Sequence, residues 1–428
     1  MHHTERRRLA LPALALLAAF AAAPLAAATA ELLAPAPAAT LGFAPERLAR
    51  IDRFIDGEIA AKRKAGAVVL IARHGRVAYL KAYGQASLED GRAMRTDDYF
   101  RLWSMTKPVT SVALLSLYEQ GRFRLTDPLA QYLPAFAHVR VYAGKDAAGN
   151  PIYEEPKRPP TMQDVMRHTA GFTYGYFGDT PVDAAYRDDG IDYLKLDSVG
   201  ALTAKIAGEA LLYQPGTRWV YSFSHDVQAY LVELLSGMPF ADYCRRTIFE
   251  PLDMKDTFFG MPEERQSRFP VSYSAGPDGK LVPTVMGRYP GDPYRHFTRH
   301  PFGGAGLSST PADYLRFAQM LLNGGELGGH RILGRKTVEL MTADNLPAEA
   351  SGSDAGFGYG LGVWVLKDPA AAGNLGSVGQ FGWGGIATTY VVIDPKEDLV
   401  ALLFAQYVPS DHKFIDPWIT LVYQALVR

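Results

Sequence analysis

The amino-acid sequence predicts a mixed α/β fold, in which one sheet is assembled from both ends of the chain and a mostly helical region is inserted between them. Strand-like apolar runs lie within residues 67–86 and 359–406, whereas patterns with helical spacing dominate the residues between them. The 428 residues are enough for one large core or two subdomains, and they contain no internal repeat. One sheet fed from both ends is then the economical arrangement.

The first predicted elements are a helix and a hairpin. Residues 45–66 carry apolar residues at helical spacing, and Gly66 is expected to end that helix. Two strand-like runs follow within residues 67–86, separated by Arg-His-Gly-Arg at 73–76, which is typical of a hairpin. Together with the apolar helical stretch 101–121, they make a mixed α/β beginning.

Helices dominate the next part of the chain, where turn-rich segments separate them. Three helices are expected with a hydroxyl residue as N-cap: Thr161 for a helix that stops at Gly171, Ser224 for one that ends at Gly237, and Thr310, followed by Pro311, for the third. Residues 142–160 are polar and rich in Gly and Pro, which indicates an excursion over the surface.

The C-terminal part returns to strands and closes with a helix. Strand-like runs occupy residues 359–366, 387–395 and 399–406. Residues 416–428 show helical spacing. We therefore expect α/β parts at about 43–120 and 300–428 within one domain, 43–428, and a helical insertion at about 121–299.

The N-terminal stretch has the pattern of a secretory signal peptide. A basic start at residues 1–8 precedes an Ala/Leu-rich run, and small-residue cleavage patterns end before Thr29 and Glu31. We expect residues 1–28 to be a signal peptide, residues 29–42 to be a Pro/Ala linker, and the mature protein to be periplasmic or secreted. An uncleaved membrane anchor is the alternative interpretation.

Composition and charge exclude several classes of partner. The chain has 44 Lys plus Arg and 45 Asp plus Glu, and this balance leaves no electrostatic footprint for nucleic acid or for an acidic membrane surface. The single cysteine, Cys244, excludes an intramolecular disulfide and a cysteine-rich metal site. No metal-ligand cluster or nucleotide motif is seen, so we expect no metal, no cofactor, no nucleic-acid partner and no membrane contact after signal cleavage.

Ser104 and Lys107 stand three residues apart at the start of the apolar stretch 101–121. Residues at i and i+3 share one face of a helix, so the two side chains would meet. A serine hydroxyl needs a base to act as a nucleophile, and a lysine becomes such a base when burial lowers its pKa. The alternative interpretation is a serine N-cap beside a solvent-facing lysine, because Ser-x-x-Lys also occurs by chance.

Two further patterns could contribute to the same site. Tyr221 lies just before the helix expected at Ser224, whose first turn holds Asp226, and a tyrosine there can present its phenol to a cleft. Glycines at 382, 384 and 385 surround Trp383 before a strand, where they allow close backbone approach to a ligand. Core packing of the tyrosine and an ordinary hairpin turn are the alternatives.

In this order, the Ser-x-x-Lys pair, a Tyr-x-Ser/Asn-type motif and the glycine motif resemble the serine β-lactamase and penicillin-binding-protein superfamily. The chain is still more similar to the class C β-lactamase-like carboxylesterases, the family VIII esterases. Six ordered stretches carry the resemblance from about residue 44 onwards: 67–84, 101–134, 161–172, 219–226, 248–259 and 382–386. The resemblance implies a β-lactamase-like fold, an antiparallel sheet flanked by helices plus an inserted helical region.

The resemblance also implies a role for particular residues. Ser104 would be the acylated nucleophile, Lys107 would accept or share its proton, and Tyr221 would be the partner base and then the acid towards the leaving group. The backbone N–H groups of Ser104 and Ile386 would form the oxyanion hole. The block that begins at His168 is interpreted as structural, because nothing in the spacing places it near Ser104.

The predicted substrate pocket departs from that of true β-lactamases. Trp383, Gly384, Gly385 and Phe223 are expected to line it. Trp383 and Gly384 replace the start of the Lys-Thr-Gly motif of β-lactamases, and Phe223 replaces the asparagine of Tyr-x-Asn. Both changes favour esters over β-lactams.

The sequence therefore predicts an exported serine hydrolase that cleaves short-chain carboxylic esters, or amides, through an acyl-serine intermediate. The alternative is a β-lactamase or a D-amino-acid-specific peptidase or amidase that acts on cell-wall-like substrates. A non-catalytic sensor or scaffold is disfavoured, because Ser104, Lys107 and Tyr221 are all present.

Overall fold

The computed structural model describes residues 33–193, 195–260, 262–284 and 300–428. The predicted signal peptide, residues 1–28, lies outside the described residues. Within them, one large sheet carries helices on both of its faces.

The described part of the chain contains eleven α-helices and seventeen strands. The helices are α1 Pro45–Ala60, α2 Thr106–Glu119, α3 Met162–Met166, α4 Pro181–Asp188, α5 Val199–Gly208, α6 Ser224–Ser236, α7 Phe240–Cys244, α8 Pro311–Leu322, α9 Arg335–Met341, α10 Pro369–Ala372 and α11 His412–Tyr423. The strands are β1 Gly66–Arg73, β2 Arg76–Ser87, β3 Arg92–Ala93, β4 Phe100–Arg101, β5 Val141–Lys145, β6 Pro151–Glu154, β7 Phe258–Phe259, β8 Tyr273–Ala275, β9 Leu281–Pro283, β10 Leu307–Ser309, β11 Glu326–Leu327, β12 His330–Arg331, β13 Phe357–Tyr359, β14 Trp364–Leu366, β15 Phe381–Gly385, β16 Thr389–Asp394 and β17 Leu399–Ala405. None of the described helices is long and apolar enough to cross a bilayer.

The main sheet has eight described strands in the order β13-β14-β15-β16-β17-β1-β2-β3. Every neighbouring pair in it is antiparallel. Strands β1 and β17, the first and the last along the chain, pair side by side, from Ala67 opposite Ala405 to Arg73 opposite Leu399. This arrangement confirms the predicted fold class, an antiparallel sheet that both ends of the chain supply, with helices on its faces.

The central strands are buried on both sides. Alternate side chains of a strand point to opposite faces. Val400 and Leu402 of β17 therefore join the core beneath the helical region, whereas Ala401 and Leu403 join the core beneath α1 and α11. Burial on both faces explains why β1 and β17 are continuous apolar runs.

The start of the domain lies against the sheet. In residues 33–42, which belong to the expected linker, the Ala36 N–H donates to the Val77 carbonyl at 2.9 Å. Helix α1 then ends well before Gly66, where the sequence predicts its stop. The cause is local, because Lys62 adopts a φ of +58° and cannot continue a helix.

Two of the three expected N-caps are present. The Thr161 and Thr310 hydroxyls each accept the backbone N–H three residues further on. The third expectation is wrong: Ser224 is already the first residue of α6, so the N-cap position falls to Phe223, which has no hydroxyl. The Ser224 Oγ lies 2.9 Å from the Ser222 Oγ. The same helix ends at Gly237, in the left-handed conformation, where the sequence predicts its end.

Helix α3 is shorter than the sequence predicts, because it stops before Gly171. Its buried carboxylate, Asp164, accepts hydrogen bonds from Arg158 at 2.5 Å and from Arg167 at 2.9 Å. Just beyond, His168 adopts a φ of +58°. This charged cluster fixes the turn that carries His168 towards the centre of the molecule.

Candidate active site

A cavity of about 680 Å³ opens where the tip of the β15–β16 hairpin meets the helical region. Twelve of the described residues that line it are aromatic, and Ser104 lines it as well. A largely apolar cavity with few polar groups is the usual form of a small-molecule site.

Ser104 occupies a single 3₁₀ turn, Trp103–Met105, which leads directly into α2. Trp103 is buried and adopts a φ of +50°, a conformation that is uncommon for residues other than glycine. The Tyr314 hydroxyl donates to the Met105 carbonyl at 2.9 Å and so anchors the turn in the core. Ser104 is therefore held by rigid surroundings at the start of a helix.

The structure brings together the three side chains that the sequence analysis selects. The Ser104 Oγ lies 3.1 Å from the Lys107 Nζ and 2.5 Å from the Tyr221 hydroxyl. Lys107 is one turn along α2, and Tyr221 comes from the loop before α6, which packs against α2. A hydroxyl between an amine and a phenol can lose its proton to one group and regain one from the other.

Lys107 is fully buried. Besides its contact with Ser104, its Nζ donates to the Gly304 carbonyl at 2.7 Å and lies 4.6 Å from the centre of the Tyr221 ring. Burial lowers the pKa of Lys107 to about 7, against the opposing effect of the Asp226 carboxylate. A good part of the amine is therefore unprotonated near neutral pH and can accept a proton.

Asp226 is a fully buried carboxylate that sequence reasoning places only in the first turn of α6. Its oxygens accept hydrogen bonds from the Gly304 N–H at 2.9 Å and from the Tyr193 hydroxyl at 2.9 Å. Because the Gly304 carbonyl accepts from Lys107, one residue links the two charges. Burial raises the pKa of Asp226, and Lys107 opposes this rise. An acidic residue in the first turn stabilises any helix through the helix dipole, so the position of Asp226 in the sequence does not indicate its contact with Gly304.

The Tyr221 phenol donates its proton to the Ser104 Oγ. Burial raises the pKa of Tyr221, so the phenol stays protonated in the resting site. Its ring lies 5.1 Å from the ring of His168 and 5.7 Å from that of Trp383. This state suits a proton donor, and it leaves Lys107 as the proton acceptor.

His168 lies directly behind Tyr221, whose hydroxyl contacts Ser104, and the sequence spacing does not indicate this position. Its Nδ1 is 3.0 Å from the Ser222 Oγ, and its ring is 4.8 Å from the ring of His225. Burial lowers the pKa of both histidines well below the usual value, which keeps them neutral. His168 contacts the back of Tyr221 and does not line the cavity.

The tip of the β15–β16 hairpin lies against the turn that carries Ser104. A Cβ on Gly385 would stand 2.3 Å from the Leu102 carbonyl oxygen, so only glycine permits this approach. The Thr389 hydroxyl donates to the same carbonyl at 3.3 Å. Ser104 and Ile386, the predicted N–H donors of an oxyanion hole, both line the cavity, and their role stays a prediction.

Phe223 does not line the cavity, which corrects the sequence analysis. It is fully buried, with its ring 4.4 Å from that of Tyr174 and 5.2 Å from that of Tyr193. Those two tyrosines line the cavity in front of it. The reason is that residue 223 immediately precedes α6 and turns its side chain into the core. Residues 383–385 do line the cavity.

No group of three or more His, Cys, Asp or Glu side chains in the described part of the chain could hold a metal ion. Cys244 is buried in the core, and burial raises the pKa of its thiol well above the usual value. This cysteine is therefore a small apolar core residue rather than a nucleophile.

The substitution Asp226→Asn is expected to lower the pKa of Lys107, because it removes a negative charge that stabilises the ammonium form. In the unaltered protein the amine should titrate near pH 7, and in the variant at least about one pH unit lower. NMR of protein labelled with ¹³C at the lysine side chains measures both midpoints. The control is Asp179→Asn, whose side chain is 98% exposed. An unchanged midpoint in Asp226→Asn would show that this carboxylate does not act on Lys107.

The chain has relatives over most of its length. The family model described as Beta-lactamase matches residues 51–424. Esterase EstB of Burkholderia gladioli is 32% identical over 370 residues, which cover 83% of this chain and 89% of EstB.

Solved structures show the same fold. EstCE1, described as a hydrolase with promiscuous acyltransferase activity, aligns with a TM-score of 0.74 at 25% identity over 88% of this chain and 99% of its own. Simvastatin synthase LovD from Aspergillus terreus aligns with a TM-score of 0.76 at 22% identity over 89% and 98%, a likeness of fold. With its ordered motifs, its antiparallel sheet and the match to residues 51–424, the chain belongs to the β-lactamase family and is a hydrolase of that superfamily.

Proposed function

We propose that this protein is a carboxylesterase that cleaves short-chain carboxylic esters through an acyl-serine intermediate. The observation that carries this proposal is the position of the Ser104 Oγ, 3.1 Å from the Lys107 Nζ and 2.5 Å from the Tyr221 hydroxyl, at an aromatic cavity. The hydroxyl thus has a proton acceptor and a proton donor within hydrogen-bond reach, as acyl transfer to serine requires.

In acylation, the unprotonated Lys107 amine accepts the Ser104 proton while the Oγ attacks the ester carbonyl carbon. The carbonyl electron pair moves onto oxygen, where the N–H groups of Ser104 and Ile386 would bind it. The C–O bond to the alcohol then breaks, and Tyr221 donates its proton to the leaving oxygen. The proton held by Lys107 returns to Tyr221, so the acyl-enzyme forms with both groups restored.

Deacylation repeats these steps with water in place of the alcohol. The water gives a proton to Lys107 as its oxygen attacks the acyl carbon. The Ser104 Oγ leaves, takes back a proton through the Tyr221 hydroxyl, and the carboxylic acid departs. The same short contacts therefore serve both halves of the reaction.

The lining of the cavity favours esters over β-lactams and over peptides with a free carboxylate. None of the described lining residues is Lys or Arg, and Trp383 offers only one N–H donor. A substrate carboxylate would lose its water without a cationic partner, and each polar group left unpaired costs about 1–3 kcal/mol. A neutral ester avoids this cost and gains contact with the rings. Similarity to a protein named as an esterase supports the same choice.

We also propose that the protein is exported, on the basis of the signal-peptide pattern in residues 1–28. N-terminal sequencing of periplasmic or secreted material should find a chain that starts at Thr29 or Glu31. A mature protein that keeps Met1 and partitions into membranes would support the anchor interpretation instead.

The variants Ser104→Ala, Lys107→Arg and Tyr221→Phe test the mechanism. Ser104→Ala should abolish both turnover and the adduct with a fluorophosphonate probe. Lys107→Arg should be nearly as damaging as Lys107→Ala, because a guanidinium stays protonated and cannot act as the base. Tyr221→Phe should lower kcat by about 10²-fold or more, as expected for a positioned proton donor.

Steady-state kinetics and intact-mass analysis measure these effects, with the exposed Ser267→Ala as the matched control. Labelling that persists in Ser104→Ala would overturn the choice of nucleophile. High kcat in Lys107→Arg would leave that lysine a positioning role only, and normal kcat in Tyr221→Phe would make the phenol a packing group.

The substrate proposal predicts that p-nitrophenyl butyrate is turned over with a kcat/KM at least about 10²-fold above that of a chromogenic cephalosporin. Two or more unpaired polar groups of the cephalosporin account for a factor of this size. Side-by-side initial rates decide the question. Equal efficiency on both compounds would reject the esterase and favour the β-lactamase alternative.

A further inference from the structure

The cavity extends from Ser104 around the tip of the β15–β16 hairpin to the other face of the sheet. Trp383 pairs with Val391, whose side chain packs beneath the helical region, whereas Gly384 pairs with Tyr390, which packs towards α11. Trp383 and Tyr390, on opposite faces of the sheet, both line this cavity. The cavity thus has an inner part at Ser104 and an outer part at Tyr390.

The outer part is lined by Trp364, Tyr390, Pro409, Ile419 and Thr420. The rings of Trp364 and Tyr390 are nearly parallel, with centres 6.2 Å apart and 24° between their planes. A Cβ on Gly384 would stand 2.7 Å from the Tyr390 ring, so glycine lets this ring lie flat on the strand. The result is a flat aromatic floor.

One side of α11 forms the opposite wall of the outer part. Four residues on the same side of this helix line the cavity: His412, Asp416, Ile419 and Thr420. Ile419 is buried, whereas His412 and Asp416 are exposed and lie 3.3 Å apart at the rim. An apolar interior with a polar rim suits a flat apolar group that reaches the solvent at one edge.

Aromatic contacts connect the two parts. The Tyr221 ring lies 5.7 Å from that of Trp383, which lies 5.3 Å from that of Tyr359. Further out, the ring of Phe357, two residues before Tyr359 in β13, lies 5.5 Å from that of Trp364. A continuous aromatic wall therefore leads from the phenol beside Ser104 to the outer part.

We propose that the outer part binds the alcohol half of the ester, and that this alcohol is bulky, neutral and built on an aromatic or fused-ring body. The inference rests on the proposed function, in which Tyr221 protonates the leaving oxygen. The alcohol is bonded to that oxygen, so its body extends from Tyr221 along the aromatic wall. The alcohol also leaves first, and the outer part lets it depart while a short acyl group stays at Ser104.

The charge of the lining disfavours an anionic alcohol. The described lining residues include Asp354 and Asp416 but neither Lys nor Arg. An anionic alcohol would meet two carboxylates and no Lys or Arg side chain, whereas a fused ring system would gain from stacking on Trp364 and Tyr390.

Three esters of matched reactivity test the proposal: ethyl butyrate, 2-(2-naphthyl)ethyl butyrate and ethyl 4-(2-naphthyl)butyrate. The second enlarges the alcohol and the third enlarges the acyl group, while both leaving groups remain alkyl alcohols. We expect the enlarged alcohol to raise kcat/KM about tenfold or more over ethyl butyrate, and the enlarged acyl group to give no such gain. Equal values, or a gain for the enlarged acyl group alone, would overturn the assignment.

Two variants of the cavity and one control variant show where the preference for the enlarged alcohol arises. Thr420→Trp fills the outer part from an exposed helix position, and it should remove most of the preference for the naphthylethyl ester. The matched control Lys413→Trp is exposed on the same helix and does not line the cavity, so it should keep the preference. Tyr390→Leu removes one ring of the floor and should also reduce it. A preference that survives both cavity variants would place the alcohol elsewhere.

Direct binding separates this proposal from the proposed function. Calorimetry with 2-(2-naphthyl)ethanol should show binding to Ser104→Ala, and a Kd at least about tenfold weaker when Thr420→Trp is added. If no ester is turned over but this difference appears, the esterase function fails and the site stands. If esters are turned over and the alcohol binds equally with and without Thr420→Trp, the outer part is not its site.

Discussion

The burial of one amine beside a serine hydroxyl organises the whole site. A charged lysine in an apolar interior is costly, and Lys107 is fully buried next to Ser104. The Gly304 carbonyl and the Asp226 carboxylate offset part of that cost. Because they do not offset all of it, the pKa of the amine is lowered to about 7. An exposed lysine, with a pKa of about 10.4, would be protonated at neutral pH and useless as a base.

The contacts of the amine come from distant parts of the chain, so they depend on how the layers pack. Helix α2 supplies Lys107, the first turn of α6 supplies Asp226, and the segment before β10 supplies Gly304. One turn beyond Lys107, the buried Thr110 hydroxyl donates to the Gly303 carbonyl at 2.7 Å and fastens that segment to α2. The main sheet also brings a distant part of the chain to the site, because its β15–β16 hairpin belongs to the C-terminal part.

Predictions that depend on neighbours in the sequence match the structure best. The alternating and continuous apolar runs give the strands, the turn at 73–76 gives the hairpin, and i, i+3 geometry brings Lys107 to Ser104. Contacts between distant positions leave no local pattern. Asp226 meets a partner 78 positions away, so its role was missed. The resemblance to the Tyr-x-Asn motif predicts Phe223 in the pocket, as the third residue of that motif, but the start of α6 turns its side chain into the core.

The same dry aromatic surroundings govern both the base and the choice of substrate. An anion bound in the inner part would act on Lys107 as Asp226 does, and would favour the ammonium form. Such a substrate would keep protonated the amine that its own cleavage requires as a base. A neutral ester leaves the pKa of the amine where the protein sets it. The absence of Lys and Arg from the described lining and the lowered pKa of Lys107 therefore favour the same kind of substrate, one that carries no negative charge at Ser104.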